Sequence, residues 1–256
     1  MKFRICDANV FVGNHPFKQL ASATLDDTAR MFSKLGIERA IVSPIEAVFH
    51  EDAHISESML AKLLNPPRLV QFKVVNPAEP GWPEELRRSM QEWPVAGIRL
   101  ASLYHGYTFA SGTAGGVFDF ARENNLPVQV FARMQDIRMQ HGIIAAEPKL
   151  DDVSHAVRLA GEDVRLLVSG LSLPGISTFV ESASPNVFFD TSRLQAGWKA
   201  LKRIEPRCIK DHLVFGSLWP INSPECPITE LAHAGLAPDV LEAVMRGNFE
   251  RYVGPL

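Results

Sequence analysis

Short runs of β-branched and aromatic residues alternate with amphipathic segments along nearly the whole chain. The runs Phe3–Val12, Arg39–Ser43, Leu69–Val75, Ala96–Leu100, Pro127–Phe131, Val164–Val168, Val187–Asp190 and Leu213–Ser217 are mostly rich in Val, Ile, Leu and Phe. They show little strict alternation, as expected of strands buried on both faces of a parallel sheet. Between them the period changes to that of a helix. Leu25, Thr28, Phe32 and Leu35 fall on one face, and Gly36 supplies the stop. Trp82-Pro83-Glu84-Glu85-Leu86 opens a helix with proline and acids in its first turn, where they suit the helix dipole. Val117, Phe120, Ala121 and Asn124 follow Gly115-Gly116, and Val153, Ala156, Val157 and Ala160 precede Gly161. A last helix is predicted from about Asp239 to Tyr252.

Strands alternating with helices in this way predict an α/β fold, the (β/α)8 or TIM barrel, as a single domain over residues 1–256. A doubly wound open sheet would need a glycine-rich phosphate loop after its first strand. Here that turn reads Val12-Gly13-Asn14-His15-Pro16, with neither phosphate-binding pattern. Two longer stretches, Tyr104–Gly116 and Arg133–Leu150, follow strands four and five, on the face where such barrels carry function.

Composition narrows the classes. With 256 residues, 46% of them hydrophobic, the chain can bury a full core. A net charge of −3 leaves no footprint for nucleic acid or an anionic membrane, and the basic cluster Lys199 to Arg207 reads as a solvated helix face. Cys6, Cys208 and Cys226 are sparse, odd in number and without a CxxC pair, which suggests free thiols in a reducing compartment. No charged segment followed by an apolar run opens the chain, and no stretch approaches ~18 uninterrupted apolar residues. The expectation is a soluble, cytoplasmic protein.

The strand ends carry recognisable motifs. Strand one reads Arg4-Ile5-Cys6-Asp7-Ala8-Asn9-Val10-Phe11-Val12-Gly13, and Val74-Val75-Asn76-Pro77 follows strand three. Ala96-Gly97-Ile98-Arg99-Leu100 marks strand four, and Leu126-Pro127-Val128-Gln129-Val130-Phe131 strand five. Asn186-Val187-Phe188-Phe189-Asp190-Thr191-Ser192 marks strand seven, Leu213-Val214-Phe215-Gly216-Ser217-Leu218-Trp219-Pro220 strand eight, and Gly247-Asn248-Phe249-Glu250-Arg251 the final helix. In order and spacing they resemble the amidohydrolase-2 branch of the metal-dependent amidohydrolases. That resemblance implies a divalent ion held by a His-x-His pair on strand one and by histidines ending strands five and six. An aspartate ending strand eight would ligate the ion and take the proton of the attacking water.

Those positions hold Asn9 and Phe11, Phe131, Gly170 (or Ser169, if the register slips by one) and Leu218. Asparagine offers a carbonyl oxygen; phenylalanine, glycine and leucine offer no side-chain ligand, and a first-row metal ordinarily needs three or more. The expectation is therefore no metal and no cofactor, with Phe11, Phe131 and Leu218 forming an apolar plug where the ion would sit.

Around the plug, Arg99, Gln129, Arg133, Tyr104, His105, Asp190 and Trp219 are the candidate ligand-binding residues, with Tyr107, Ser192 and Arg193 beside them. Arginine and aromatic walls suit a small anionic or carboxylate ligand. A structural Arg99–Asp190 contact is the competing reading. His15, His105 and His141 have no metal-binding spacing and read as loop or surface residues. Cys226 has no assignable histidine partner, and Glu46 and His50 are bare acid–base candidates. The expected function is that of an amidohydrolase-like barrel that has lost its metal-dependent hydrolase site, a pseudoenzyme or ligand-binding homologue with a homo-oligomer interface open to it. The alternative is a metal-independent hydrolase, lactonase or decarboxylase-like enzyme acting on a small carboxylate, with Arg99 as its electrostatic clamp.

Overall fold

The computed structural model describes residues 4–20, 24–50, 52–64, 68–139, 149–194 and 201–254. Eight parallel strands form one sheet in chain order: β1 (Ile5–Val12), β2 (Ile37–Pro44), β3 (Leu69–Val74), β4 (Val95–Leu100), β5 (Val128–Phe131), β6 (Leu166–Ser169), β7 (Val187–Asp190) and β8 (Leu213–Val214). The helices are α1 (Leu25–Leu35), α2 (His54–Leu63), α3 (Trp82–Glu92), α4 (Ser102–His105), α5 (Gly115–Glu123), α6 (Leu150–Ala160), α7 (Leu173–Phe179), α8 (Pro206–His212), α9 (Glu225–His233), α10 (Pro238–Glu242) and α11 (Asn248–Val253). This is a (β/α)8 barrel. Among the described residues no helix is long and apolar enough to cross a membrane.

The seam between β8 and β1 is irregular, and it departs from the expected strand Leu213–Ser217. The regular ladder stops at Val214, after which single backbone bonds close the barrel. Ala8 N–H donates to Phe215 O (2.9 Å), Leu218 N–H to Asn9 O (2.8 Å) and Phe11 N–H to Trp219 O (2.7 Å). The cause lies in two local features. Between Asp7 and Val10, β1 advances three residues while β2 advances two, from Ala40 to Val42, a bulge of one residue. Opposite it, a Cβ on Gly216 would lie 2.9 Å from Asp190 Cβ and 3.1 Å from Asn9 Cβ, so only glycine lets the strands approach this closely.

The predicted last helix is divided. A π-helical turn at Ala243–Gly247 separates α10 from α11, and Asn248 donates to the carbonyls of Lys210 and Leu213 (2.8 Å each), tying the helix to β8. At α1 the observed ends match the predicted ones. Thr24 and Asp27 form a reciprocal capping box, and Gly36 closes the helix at φ 75°. Thr24→Ala is expected to cost about 1 kcal/mol in urea denaturation; no measurable loss would show that the cap contributes nothing.

Inside the barrel the side chains form three layers. The lower layer is apolar, with Cys6, Ala8, Phe72, Leu167 and Phe188 closed from below by Phe249 and Tyr252. The upper layer, at the mouth, is also apolar and includes Phe11, Val74, Phe131, Met134 and Leu218. Between them lies a buried polar layer.

Candidate functional site at the barrel mouth

Arg99 is the centre of the polar layer. It is 0% exposed, and its guanidinium donates to Gln129 Oε1 (2.7 Å), Val10 O (2.9 Å) and Ile41 O (3.2 Å). Gln129 donates in turn to Ser169 Oγ (2.7 Å) and Ala8 O (3.3 Å). The Phe11 ring covers the guanidinium at 4.5 Å, with the Phe131 ring at 5.8 Å. Burial pulls the Arg99 pKa down to about 9, opposed by Tyr252, Asp7 and Asp190, so the group is a cation at neutral pH.

The carboxylates lie on the other side. Asp190 accepts from Asn9 Nδ2 (2.7 Å), Ser192 Oγ (2.7 Å) and Gly170 N–H (3.2 Å), and burial holds its pKa above the ordinary value against those bonds. Asp7 Oδ1 accepts the N–H groups of Asn9 and Ser217 at 3.0 Å each, which pins the bulge to the segment after β8. Burial raises Asp7 from 3.8 to about 7. Arg99 spends its donors on Gln129 and two carbonyls rather than on Asp190, so the direct contact considered from sequence does not form.

The positions where the family resemblance calls for metal ligands do not fit a metal. Phe11 and Phe131 pack with ring centroids 5.6 Å apart, and Leu218, sealed from solvent, belongs to the same cluster. Asn9 turns its amide nitrogen to Asp190. Gly170 has φ +82°, and a Cβ there would stand 1.7 Å from the Arg133 carbonyl oxygen, so no histidine fits without moving backbone. Ser169, the other choice, is taken by Gln129. Among the described residues no cluster of three His, Cys, Asp or Glu side chains is arranged for a metal.

The other candidates are dispersed. Trp219, expected to wall the mouth, turns outward instead: its indole N–H donates to Thr28 Oγ1 (3.0 Å) on α1, and its ring joins the core between barrel and helices. Tyr107 lies in that outer core as well, against Phe109. Tyr104 stays at the mouth, edge-on to Phe49 (5.3 Å). His105 Nε2 lies 3.2 Å from Val48 O, and burial pushes its pKa down to about 4, so it is a neutral packing residue at physiological pH. Arg133 is partly exposed at the rim; burial and the charge of Arg193 lower its pKa, and Asp136 opposes them. Arg193 reaches Asp136 at 3.7 Å. Glu46 accepts the Asn14 N–H (2.5 Å) and so holds the turn after β1. Cys226 is exposed on α9 and His50 is exposed, while His141 lies outside the described residues.

One rim contact was not foreseen. His15 is buried, not a surface residue: its ring packs at a tilt against Phe49 (4.9 Å between centroids), its Nε2 lies 2.6 Å from the Gln135 amide, and Lys18 bonds the Gln135 oxygen. Burial first, then Lys18, lowers the His15 pKa. Nothing in local spacing connects residues this far apart in sequence.

A sequence model of the amidohydrolase family matches residues 18–254. The chain belongs to that family. No curated protein matches this amidohydrolase-family chain in sequence. Among solved structures it is similar to 5-carboxyvanillate decarboxylase from Sphingomonas paucimobilis, with TM-score 0.69, 14% identity, and coverage of 98% of this chain and 99% of that one. It is also similar to 2,6-dihydroxybenzoate decarboxylase from Rhizobium (TM-score 0.68, 13% identity, 99% of each chain). A third is dihydroxybenzoic acid decarboxylase from Polaromonas sp. with bound manganese and the inhibitor 2-nitroresorcinol (TM-score 0.66, 13% identity, 97% and 96% of the two chains). At these identities the likeness is one of fold.

Proposed function

We propose that this amidohydrolase-family barrel does not carry out metal-dependent hydrolysis and serves as a ligand-binding homologue, taking a small carboxylate at the rim of its closed mouth. The observation that carries this reading is the packing of Phe11, Phe131 and Leu218 into one solvent-sealed cluster at positions that would otherwise supply metal ligands. A hydrolytic metal needs several N, O or S donors and an open position for water; this donor set supplies neither. Arg99, the electrostatic clamp of the metal-independent alternative, lies under the same cluster, sealed from solvent and bonded to Gln129 and two carbonyls. Above the cluster, Arg133 and Arg193 stand at the rim around Asp136, which Arg193 reaches at 3.7 Å, so a small carboxylate there would meet guanidinium groups already turned to one. The decarboxylases of similar fold are named for aromatic carboxylates, which supports the choice of ligand class.

Metal analysis and a turnover panel of esters, lactones and aromatic carboxylates test the reading together. The expected result is far less than one zinc or manganese per chain and no turnover. Dihydroxybenzoate should still raise the melting temperature, as any ligand of the native state does, and Arg193→Gln should abolish the rise. One metal per chain with metal-dependent turnover would sink the proposal. Carbon dioxide release without metal would replace it with a metal-independent decarboxylase.

A further inference from the structure

We infer that the chain carries a second ligand site, for an amphipathic carboxylate, in a cavity at the N-terminal end of the barrel. It is independent of the mouth, which lies at the opposite end of the strands. The cavity, of about 600 Å³, opens between the end of α2, the start of β3, the turn into β4, the turn before β5 and the end of α11. That volume is in the range of small-molecule pockets. Leu64, Leu69, Val95, Leu126 and Val253 make most of its wall apolar, and Trp93 adds an aromatic surface.

Two features of the wall bear on its occupant, and the first points to a negative charge. The first is Arg165, a partly buried cation on the wall. It donates to Val253 O (2.7 Å), Asn125 O (2.7 Å) and Asn125 Oδ1 (3.0 Å), all neutral acceptors. Arg99 makes as many bonds but is sealed from solvent, whereas Arg165 is partly exposed, so its remaining N–H groups can reach an occupant. Among the described residues no carboxylate pairs with Arg165, and none lines the cavity. A cation on an apolar wall, bonded only to neutral oxygens, is complementary to an anion and gains most from one that brings an apolar body with it.

The second feature is a pair of orphaned polar groups on the same wall. Trp93 is 7% exposed and Gln71 3% exposed, yet the Trp93 indole N–H and Gln71 Oε1 have no hydrogen-bond partner. Gln71 uses its amide nitrogen on the Glu57 carbonyl (3.0 Å), which fixes its oxygen as the open acceptor. Both atoms are sealed from solvent, so they back the cavity wall rather than face it, and turning the Trp93 or Gln71 side chain would bring a donor or an acceptor to a ligand. The carboxylate would lie on Arg165 and the apolar body against Trp93 and the leucines.

Titration of the full chain with naphthoate, followed by calorimetry and tryptophan fluorescence, tests the inference. In Arg193→Gln, which lacks the mouth site proposed above, the expected result is saturable binding at one site per chain. The neutral naphthalene carboxamide should bind at least about tenfold more weakly, as should naphthoate to Arg165→Gln. Ala61→Phe narrows the cavity from α2, leaves the arginine in place, and should abolish binding. The other variants are made in the same Arg193→Gln background, so this site and the one proposed above fail separately. Arg165 also bridges Val253 to Asn125, so if Arg165→Gln does not fold, Ala61→Phe and the neutral amide decide. No saturable binding at millimolar naphthoate, equal affinity for the amide, or binding that survives Ala61→Phe would each overturn the inference.

Discussion

Phe11→Ala is expected to lower the free energy of unfolding by about 4 kcal/mol in urea denaturation. The ring is fully buried, touches Phe131 at 5.6 Å between centroids and covers the Arg99 guanidinium at 4.5 Å. Truncation removes the ring's burial, leaves a void that flanking strands cannot fill, and uncovers a cation from its aromatic face. The neighbouring Phe131→Ala loses part of the same contact. The double variant should therefore fall short of the sum by about 1 kcal/mol, the coupling of an aromatic pair. A loss below about 2 kcal/mol for Phe11→Ala, or full additivity, would mean that the two rings do not act as one plug.

The fold was legible because buried parallel strands leave a strong trace: continuous Val, Ile and Phe runs at Arg39–Ser43, Pro127–Phe131 and Val187–Asp190 lie within or nearly coincide with observed strands. The helix His54–Leu63 escaped notice for a physical reason. Its amphipathicity is inverted: Ile55, Met59 and Leu63 are 65%, 59% and 67% exposed, while Glu57 is buried. Glu57 is held there by the Lys73 ammonium and the Val74 N–H (2.8 Å), partners from a strand that no helical period reveals. The strand-eight boundary failed for a related reason. Phe215-Gly216-Ser217-Leu218 reads as apolar strand, but its pairing is set by a bulge in β1 on the far side of the sequence.

At the mouth, the sequence located the right positions and misjudged what several of them face. The period of two on β5 put Gln129 and Phe131 on the inner face, and both are buried there. The same rule could not tell an arginine that greets a ligand from one that is satisfied within the barrel. Arg99 is of the second kind because Gln129 and two strand carbonyls converge on it, a three-dimensional fact about β1, β2 and β5 together. Trp219 was assigned to the wrong side because the chain leaves the regular ladder before it, so counting residues from Val214 no longer gives direction. The N-terminal cavity had no sequence signal at all, since Arg165 belongs to a different βα unit from Gln71 and Trp93.

Arg99→Met is expected to cost about 3–5 kcal/mol near neutral pH, the penalty for breaking a buried charged network by removing one partner. Methionine can fill much of the space but takes away the donors to Gln129 Oε1 and to the carbonyls of Val10 and Ile41. It also removes a cation that attracts two buried carboxylates, Asp7 and Asp190. The pH dependence separates these effects. Asp7 is raised from 3.8 to about 7 in the folded chain, so the stability that it contributes is fully present below about pH 4 and is lost as pH climbs towards 7. Without the guanidinium that ionisation is harder still, so the loss in Arg99→Met should be smaller at pH 5 than at pH 8. Equal losses at the two pH values would reduce Arg99 to packing and neutral hydrogen bonds. Arg99→Lys restores the charge but not the fork to three separate oxygens. It should flatten the pH dependence and leave part of the loss in place.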